Sequence, residues 1–140
     1  LGGFRPSTAH DMAPLPGAVW STPPSEVTAA LLQHGLSHVS AAHLTDTYGA
    51  RAAAFVTLLR ERPDWARRIA APLPHVWAEV GFAMRHEMAV CADDFLRRRG
   101  DLALRLAAEG LDVPPSLNAW WPASAHDARA SLPTAAHASA

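Results

Sequence analysis

One long apolar stripe constrains the fold of this chain more than any other feature. From residue 76 to residue 99, apolar side chains recur every three or four positions, which is the spacing of one helix face. The stripe consists of Val76, Val80, Ala83, Met84, Met88, Cys91 and Phe95. The pattern predicts a single helix that ends near Arg99, before Gly100 and Asp101. Such an apolar face is stable in water only when other elements cover it.

Capping residues, glycines and prolines divide the rest of the chain into shorter helices. Thr22 and Ser40 are the predicted caps of the first two, and Gly49 is the predicted stop of the second. With 49% hydrophobic residues and no competing strand pattern, the sequence predicts an all-α fold, a compact bundle of five to six helices. The shorter helices are predicted from residue 23 or 24 to 34, and over 41–48, 50–62, 64–70 and 102–109.

Both ends of the chain lack sustained periodicity. Residues 1–23 are rich in Pro and Gly and predict an irregular arm, a linker that follows a missing domain. The first four residues do not resemble a natural start, so we expect a fragment of a longer protein. Residues 24–113 are the predicted helical domain, and 114–140 a Pro/Trp segment with a mobile tail. Trp120 and Trp121 either cover the bundle or dock on a neighbour.

Composition excludes several classes of function. A formal net charge of −1 argues against a nucleic-acid binder, and no apolar run is long enough to span a bilayer. The single cysteine, Cys91, excludes an internal disulfide and fits a reducing compartment, so we expect a cytoplasmic protein. The chain contains neither GxGxxG nor GxxxxGK[ST], which indicates that it has no dinucleotide or phosphate cradle of its own.

Two carboxylates, Glu87 and Asp94, fall within the apolar stripe. Charges on a core-facing stripe are costly unless they are paired. Arg98 follows Asp94 by one helical turn and can pair with it, whereas Glu87 needs a partner from another helix, for which Arg51 is the first candidate. We therefore predict a structural ion-pair network of Glu87, Asp94, Arg98 and Arg51. A pair of acid/base carboxylates is the functional alternative.

The spacing of possible metal ligands favours no metal site. Glu87, Cys91 and Asp94 follow one another at i, i+4 and i+7, but Cys91 falls where an apolar residue fits and is predicted to be a core cysteine. His34 and His38 are separated by a glycine that ends the first helix. The chain also lacks a GxSxG nucleophile elbow. We expect no metal ligand and no catalytic residue in it.

Four motifs occur in an order that matches one known family. Residues 43–52 (HLTDTYGARA) resemble an L…YG.ra element, and residues 74–80 with 85–89 (PHVWAEV, RHEMA) resemble an aEv.yavrhEma helix. Residues 93–99 (DDFLRRR) resemble a closing D.l.RR signature, and residues 14–17 (PLPG) resemble an LPG linker. These motifs resemble the C-terminal helical domain of the FAD-dependent glycerol-3-phosphate dehydrogenases. The family has Thr where Arg99 stands here.

The resemblance implies a parent enzyme that oxidises sn-glycerol 3-phosphate to dihydroxyacetone phosphate, with electrons passing through FAD to a quinone. This chain is then the non-catalytic C-terminal domain, binds no cofactor itself and packs on the N-terminal flavin domain of the same polypeptide. The resemblance leaves open a homo-oligomer and peripheral attachment of the parent to the inner face of the cytoplasmic membrane. The positions that carry over, as residues that hold or dock the domain, are Tyr48, Gly49, Arg97, Glu87, Asp94 and Arg98.

Two other functions are compatible with the residues. A stand-alone helical interaction or regulatory module would bind a protein partner through Trp120 and Trp121, or through the arginines at 97–99. A helix-turn-helix built from the second and third helices would bind DNA, which the net charge disfavours.

Overall fold

Five α-helices carry the part of the chain that the computed structural model describes, which is residues 19–99 and 101–121 without the side chains of residues 98 and 99. Within these ranges there is no β-strand, and the predicted all-α class is confirmed. No helix in them combines the length and the apolar character needed to cross a bilayer. The helices are α1 (Pro24–Gln33), α2 (His38–Tyr48), α3 (Ala53–Glu61), α4 (Trp77–His86) and α5 (Leu102–Ala108). The predictions for residues 1–18 and 122–140 concern residues outside the described ranges.

Short 3₁₀- and π-helices connect or follow the α-helices, in part where longer α-helices are predicted from the sequence. Gly49–Ala52 is a 3₁₀-helix that precedes α3, and Pro63–Ala66 is a 3₁₀-helix in place of the predicted helix at 64–70. Pro115–Trp120 forms a further 3₁₀-helix, and Asp94–Arg99 is π-helical. α1 packs on α2 and α3, and α3 packs on α4, so the elements enclose one core.

The start of α2 shows how a predicted cap was misplaced. Ser37, not Ser40, is the cap: its Oγ accepts a hydrogen bond from the backbone N–H of Ser40 at 3.2 Å. Because both serines are three residues apart, the earlier one can cap the later one and the helix gains a turn. Gly49 ends α2 with a positive φ of 55°, a conformation that glycine adopts without the steric cost that a side chain would add. Thr22 does not cap α1, whose cap position is Pro23.

The single long helix predicted for residues 76–99 is wrong. α4 ends at His86, and Met88 takes a left-handed φ of 56°, which a non-glycine residue rarely adopts. The N–H of Ala89 then bonds back to the carbonyl of Ala83 at 3.1 Å. The carbonyl of Ala89 accepts a hydrogen bond from the indole of Trp121 at 3.1 Å, so contact with the C-terminal segment holds the break.

Two residues of the predicted stripe lie outside the core because of this break. The Met88 side chain is 85% exposed, and Cys91 is exposed as well, which corrects its prediction as a core cysteine. Val76, Val80, Ala83 and Phe95 are buried as the stripe predicts. The apolar period was therefore correct as far as Ala83, and beyond it the chain buries its apolar residues without continuing the helix.

Three tryptophans form the centre of the core on one side of α4, and we call Trp65, Trp77 and Trp120 the tryptophan cluster. The Trp120 ring stacks on Trp77 with centroids 5.0 Å apart, and its centroid lies 5.0 Å from that of Trp65. Trp65 lies so close to α4 that a Cβ atom at Gly81 would be only 2.1 Å from Cζ3 of the Trp65 ring. Trp120 therefore covers the bundle, which decides between the two predicted positions for this residue.

Candidate functional site

Buried and partly buried polar side chains meet where α2 contacts the beginning of α4, and we call His43, Tyr48, His75 and Glu79 the polar cluster. His43 and Tyr48 come from α2, Glu79 from α4, and His75 from the segment that leads into α4. The Nε2 atom of His43 lies 3.2 Å from Oε2 of Glu79, and the Tyr48 hydroxyl donates to the same oxygen at 3.4 Å. One carboxylate thus joins two side chains of α2 to α4.

The Glu79 carboxylate is held in place by the beginning of its own helix. Its Oε1 atom accepts a hydrogen bond from the backbone N–H of Val76 at 2.9 Å, which satisfies a donor that the helix leaves unpaired. The residue is only 3% exposed. Because one oxygen is engaged by the backbone, the other is fixed toward α2.

His75 is the most buried ionisable side chain of the cluster. It is 2% exposed, and its ring centroid lies 4.4 Å from that of His43. Its Nε2 atom lies 3.4 Å from Oδ1 of Asp101, whereas Nδ1 is buried without a hydrogen-bond partner among the described residues. Burial lowers the pKa of His75, so its imidazole is held in the neutral form.

Asp101 lies at the edge of the cluster, where solvent reaches it. Burial alone would raise the pKa of Asp101, but the hydrogen bond and the positive charge of Arg105 hold it below its usual value. Arg105 Nε donates to Oδ2 of Asp101 at 2.6 Å. The carboxylate is therefore ionised at neutral pH, with its other oxygen toward His75.

The Tyr48 hydroxyl is a hydrogen-bond donor and does not ionise. Burial, followed by the charges of Glu79 and Glu87, raises the pKa of Tyr48 far above its usual value. The protonated phenol is the form that can donate to Glu79. Its ring also packs edge-on against Phe55 and Phe82, so this residue joins the polar cluster to the apolar core.

The residues of the predicted ion-pair network are divided between two places. Arg51 and Glu87 are in contact: Nη1 of Arg51 donates to Oε1 of Glu87 at 3.2 Å. The Arg51 guanidinium also lies 4.9 Å from the centroid of the Phe82 ring. The Glu87 side chain is 10% exposed and that of Arg51 37%, so the pair lies at the margin of the core.

Asp94 belongs to the segment after the helix break and not to the face that carries Glu87. Its Oδ2 atom accepts a hydrogen bond from the backbone N–H of Val90 at 3.2 Å. The predicted partner Arg98 has a side chain outside the described residues. Arg97, one of the signature positions, pairs with Asp93 at 2.5 Å on the exposed surface.

Sequence reasoning missed His43, His75 and Glu79 as one site. His43 and Glu79 are 36 positions apart, and no local spacing links residues at that distance. The detectable signal was Glu79 alone, a glutamate three residues after the start of a helix. One ligand-type atom from each of these three residues lies within 4.8 Å of the other two, so the cluster has the composition of a metal site.

Comparison with known proteins places the chain in a family. Residues 8–120 match the family described as the C-terminal domain of alpha-glycerophosphate oxidase. The chain belongs to this family. A glycerol-3-phosphate dehydrogenase of Synechocystis sp. is 38% identical over 93 residues, which are 65% of this chain and 16% of that relative. The chain thus spans a small part of the length of the relative that it matches. No solved structure matches it.

Two side-chain contacts, one in the polar cluster and one at the margin of the core, join the two motifs by which the sequence resembles this family. Tyr48 and Arg51 belong to the motif at 43–52, and Glu79 and Glu87 to the motif at 74–89. Tyr48 contacts Glu79, and Arg51 contacts Glu87. In this C-terminal domain, the two motifs therefore meet as one packed interface between the end of α2 and α4.

Proposed function

We propose that this chain is the non-catalytic C-terminal domain of an FAD-dependent glycerol-3-phosphate dehydrogenase. The parent enzyme would oxidise sn-glycerol 3-phosphate to dihydroxyacetone phosphate and pass the electrons through FAD to a quinone. The match of residues 8–120 to the family of such C-terminal domains carries the proposal. The same match favours this function over a stand-alone interaction module.

The residues of this chain do not fit an FAD site. A dinucleotide cradle needs a strand, a glycine-rich turn and the beginning of a helix. The described residues contain no strand, and the sequence contains no GxGxxG. We therefore assign FAD and the chemistry to an N-terminal domain of the same polypeptide. From the family resemblance we further propose that the protein is cytoplasmic, with the parent enzyme peripheral to the inner face of the cytoplasmic membrane.

The role that we propose for this domain is to pack on the flavin domain and to stabilise the parent enzyme. Met88 and Val90 support this role, since they are 85% and 61% exposed on either side of the buried Ala89. Large apolar side chains that protrude together from a loop are typical of a surface that another domain covers. Most of the length of the matched relative lies outside the region that this chain covers, so such a covering domain is available.

The proposal is tested by comparing this chain with the complete polypeptide that contains it. We expect the complete protein to show a flavin absorption spectrum and to reduce a quinone analogue with glycerol 3-phosphate. We expect the 140-residue chain alone to show neither. Flavin bound by the isolated chain, or a complete protein that does not oxidise glycerol 3-phosphate, would contradict it.

The packing role has a separate test, the double substitution of Met88 and Val90 by Ser. In the isolated chain both side chains face water, so the free energy of unfolding should change by no more than about 0.5 kcal/mol. In the complete enzyme the same substitutions should lower the temperature at which flavin is released. A complete enzyme that releases its flavin at the same temperature with and without the two substitutions would contradict this role of Met88 and Val90.

A further inference from the structure

We propose that His43, His75 and Glu79 bind one zinc ion, which links α2 to the beginning of α4. The three residues are brought together from α2, from the segment before α4 and from α4 itself. This site goes beyond the proposed function of the domain and does not depend on it. It also differs from both sets of ligands considered in the sequence, because its members are distant in the chain.

The distances among the ligand atoms approach those of a zinc site. Zinc bonds of about 2.0–2.1 Å in a tetrahedron put neighbouring ligand atoms about 3.3 Å apart. Nε2 of His43 and Oε2 of Glu79 are 3.2 Å apart, and the three ligand atoms of the site lie within 4.8 Å of one another.

The neighbours of the two histidines hold them as metal-binding histidines are held. A ligating imidazole commonly engages its second ring nitrogen with a carboxylate or another oxygen. Nδ1 of His43 lies 3.4 Å from the hydroxyl of Thr47, and Nε2 of His75 lies 3.4 Å from the carboxylate of Asp101. Each histidine therefore keeps one nitrogen to bind a metal, Nε2 in His43 and Nδ1 in His75.

The Nδ1 atom of His75 is the observation that points to a missing ligand. It is buried on a residue that is 2% exposed, and no atom of the described part of the chain is its hydrogen-bond partner. A buried polar atom without a partner costs about 1–3 kcal/mol, and coordination would remove this cost.

The donor set favours zinc over the hard divalent cations. Two imidazole nitrogens and one carboxylate oxygen suit zinc, whereas magnesium and calcium prefer oxygen ligands. Three protein ligands leave one position of a tetrahedral ion for water. The site also brings carboxylates to the ion, because Glu79 is one of the ligands and the Asp101 carboxylate lies 3.4 Å from Nε2 of His75.

The test uses the 140-residue chain, stripped with a chelator, in a background that removes other metal-binding groups. These are the exposed Cys91, replaced by Ser, and three histidines outside the described residues, replaced by Gln: His10, His126 and His137. We expect one equivalent of Co²⁺ to give the visible absorption of a tetrahedral site, and Zn²⁺ to displace it. Saturating Zn²⁺ should raise Tm by about 5–10 °C, and Mg²⁺ should not.

Single variants identify the ligands. His43→Gln and His75→Gln should each weaken zinc binding by about 100-fold or more, and Asp101→Asn by about 10-fold, because it removes the group that orients His75. His38→Gln is the matched control, since His38 is exposed on the same helix as His43. This variant should bind zinc as tightly as the background protein does.

Two results would overturn the proposal. The first is that the background protein, the 140-residue chain with Cys91 and three histidines replaced, takes up neither Co²⁺ nor Zn²⁺ at one equivalent. The second is binding by His43→Gln and Asp101→Asn that is as tight as binding by His38→Gln. Circular dichroism separates loss of binding from loss of fold. If His75→Gln does not fold, two other measurements test the site. They are the Co²⁺ absorption of the background protein and zinc binding by Asp101→Asn, whose substitution is at an exposed residue.

Discussion

The tryptophan cluster and the polar cluster both pack against α4, but they stabilise the domain by different means. Trp65, Trp77 and Trp120 bury large aromatic rings, and the Trp120 ring contacts the other two. The charged group nearest to the Trp65 ring is the Arg62 guanidinium, 4.7 Å from its centroid, which is only partly buried. The polar cluster buries a carboxylate and a histidine at 3% and 2% exposure. Apolar burial is favourable in itself, whereas buried ionisable groups are tolerated only through their partners. The comparison separates a region that provides stability from a region that needs another reason to be there.

The largest difference is expected from Trp120→Ala. The ring contacts both other tryptophans, and its removal leaves a cavity that cannot collapse without moving them, so we expect a loss of about 3–5 kcal/mol in the free energy of unfolding. Urea denaturation measures it. Trp121→Ala is the control, because Trp121 is only partly buried and should lose less. Equal losses would show that the cluster is not the main source of stability.

Gly81→Ala is expected to have the next largest effect. Alanine is the better helix former by about 1 kcal/mol, so an unconstrained position would be stabilised. Here the new methyl group would overlap the Trp65 ring, and we expect a net loss of about 1–3 kcal/mol. In a Trp65→Leu background the loss of stability caused by Gly81→Ala should be smaller. Thermal melts of the unsubstituted chain, the two single variants and the double variant measure this difference. A stabilised Gly81→Ala protein would mean that Trp65 can move away from α4.

Glu79→Gln examines the polar cluster in the same way. The amide keeps an acceptor for the Val76 N–H but loses the charge toward His43 and Tyr48, so we expect a loss of about 1–2 kcal/mol in chelator-containing buffer. Glu26→Gln is the control, because Glu26 also lies in the first turn of a helix but is exposed. A Glu79→Gln protein more stable than the parent would show that the charge is retained at a net cost.

The smallest effect is expected at the margin of the core, between Arg51 and Glu87. The sequence-based interpretation of a buried network implies a loss of several kcal/mol when Glu87 is removed. Because the Arg51 side chain is 37% exposed, water can replace the lost partner, and a double-mutant cycle should give a coupling of about 0.5–1 kcal/mol. The Arg97–Asp93 pair, exposed on both sides, should give less. A coupling energy above about 3 kcal/mol between Arg51 and Glu87 would support the buried ion pair that the sequence predicts.

Local signals in the sequence were sufficient for the helical class and for several element ends. The stop of α2 at Gly49 follows from residue type over a few positions. The contact of Arg51 with Glu87 was accessible too, since a carboxylate on an apolar stripe needs a cation from elsewhere. These inferences rest on interactions within one or two turns, or on the cost of an unpaired charge.

Tertiary structure alone decided the break after His86 and the assembly of the polar cluster. The apolar period continues through Met88 and Cys91, but the hydrogen bond of Trp121 to Ala89 comes from a segment 32 positions away. His43, His75 and Glu79 likewise become neighbours only when α2 packs on α4. The free energy of such contacts depends on how distant segments meet, and a pattern of neighbouring residues carries no record of it.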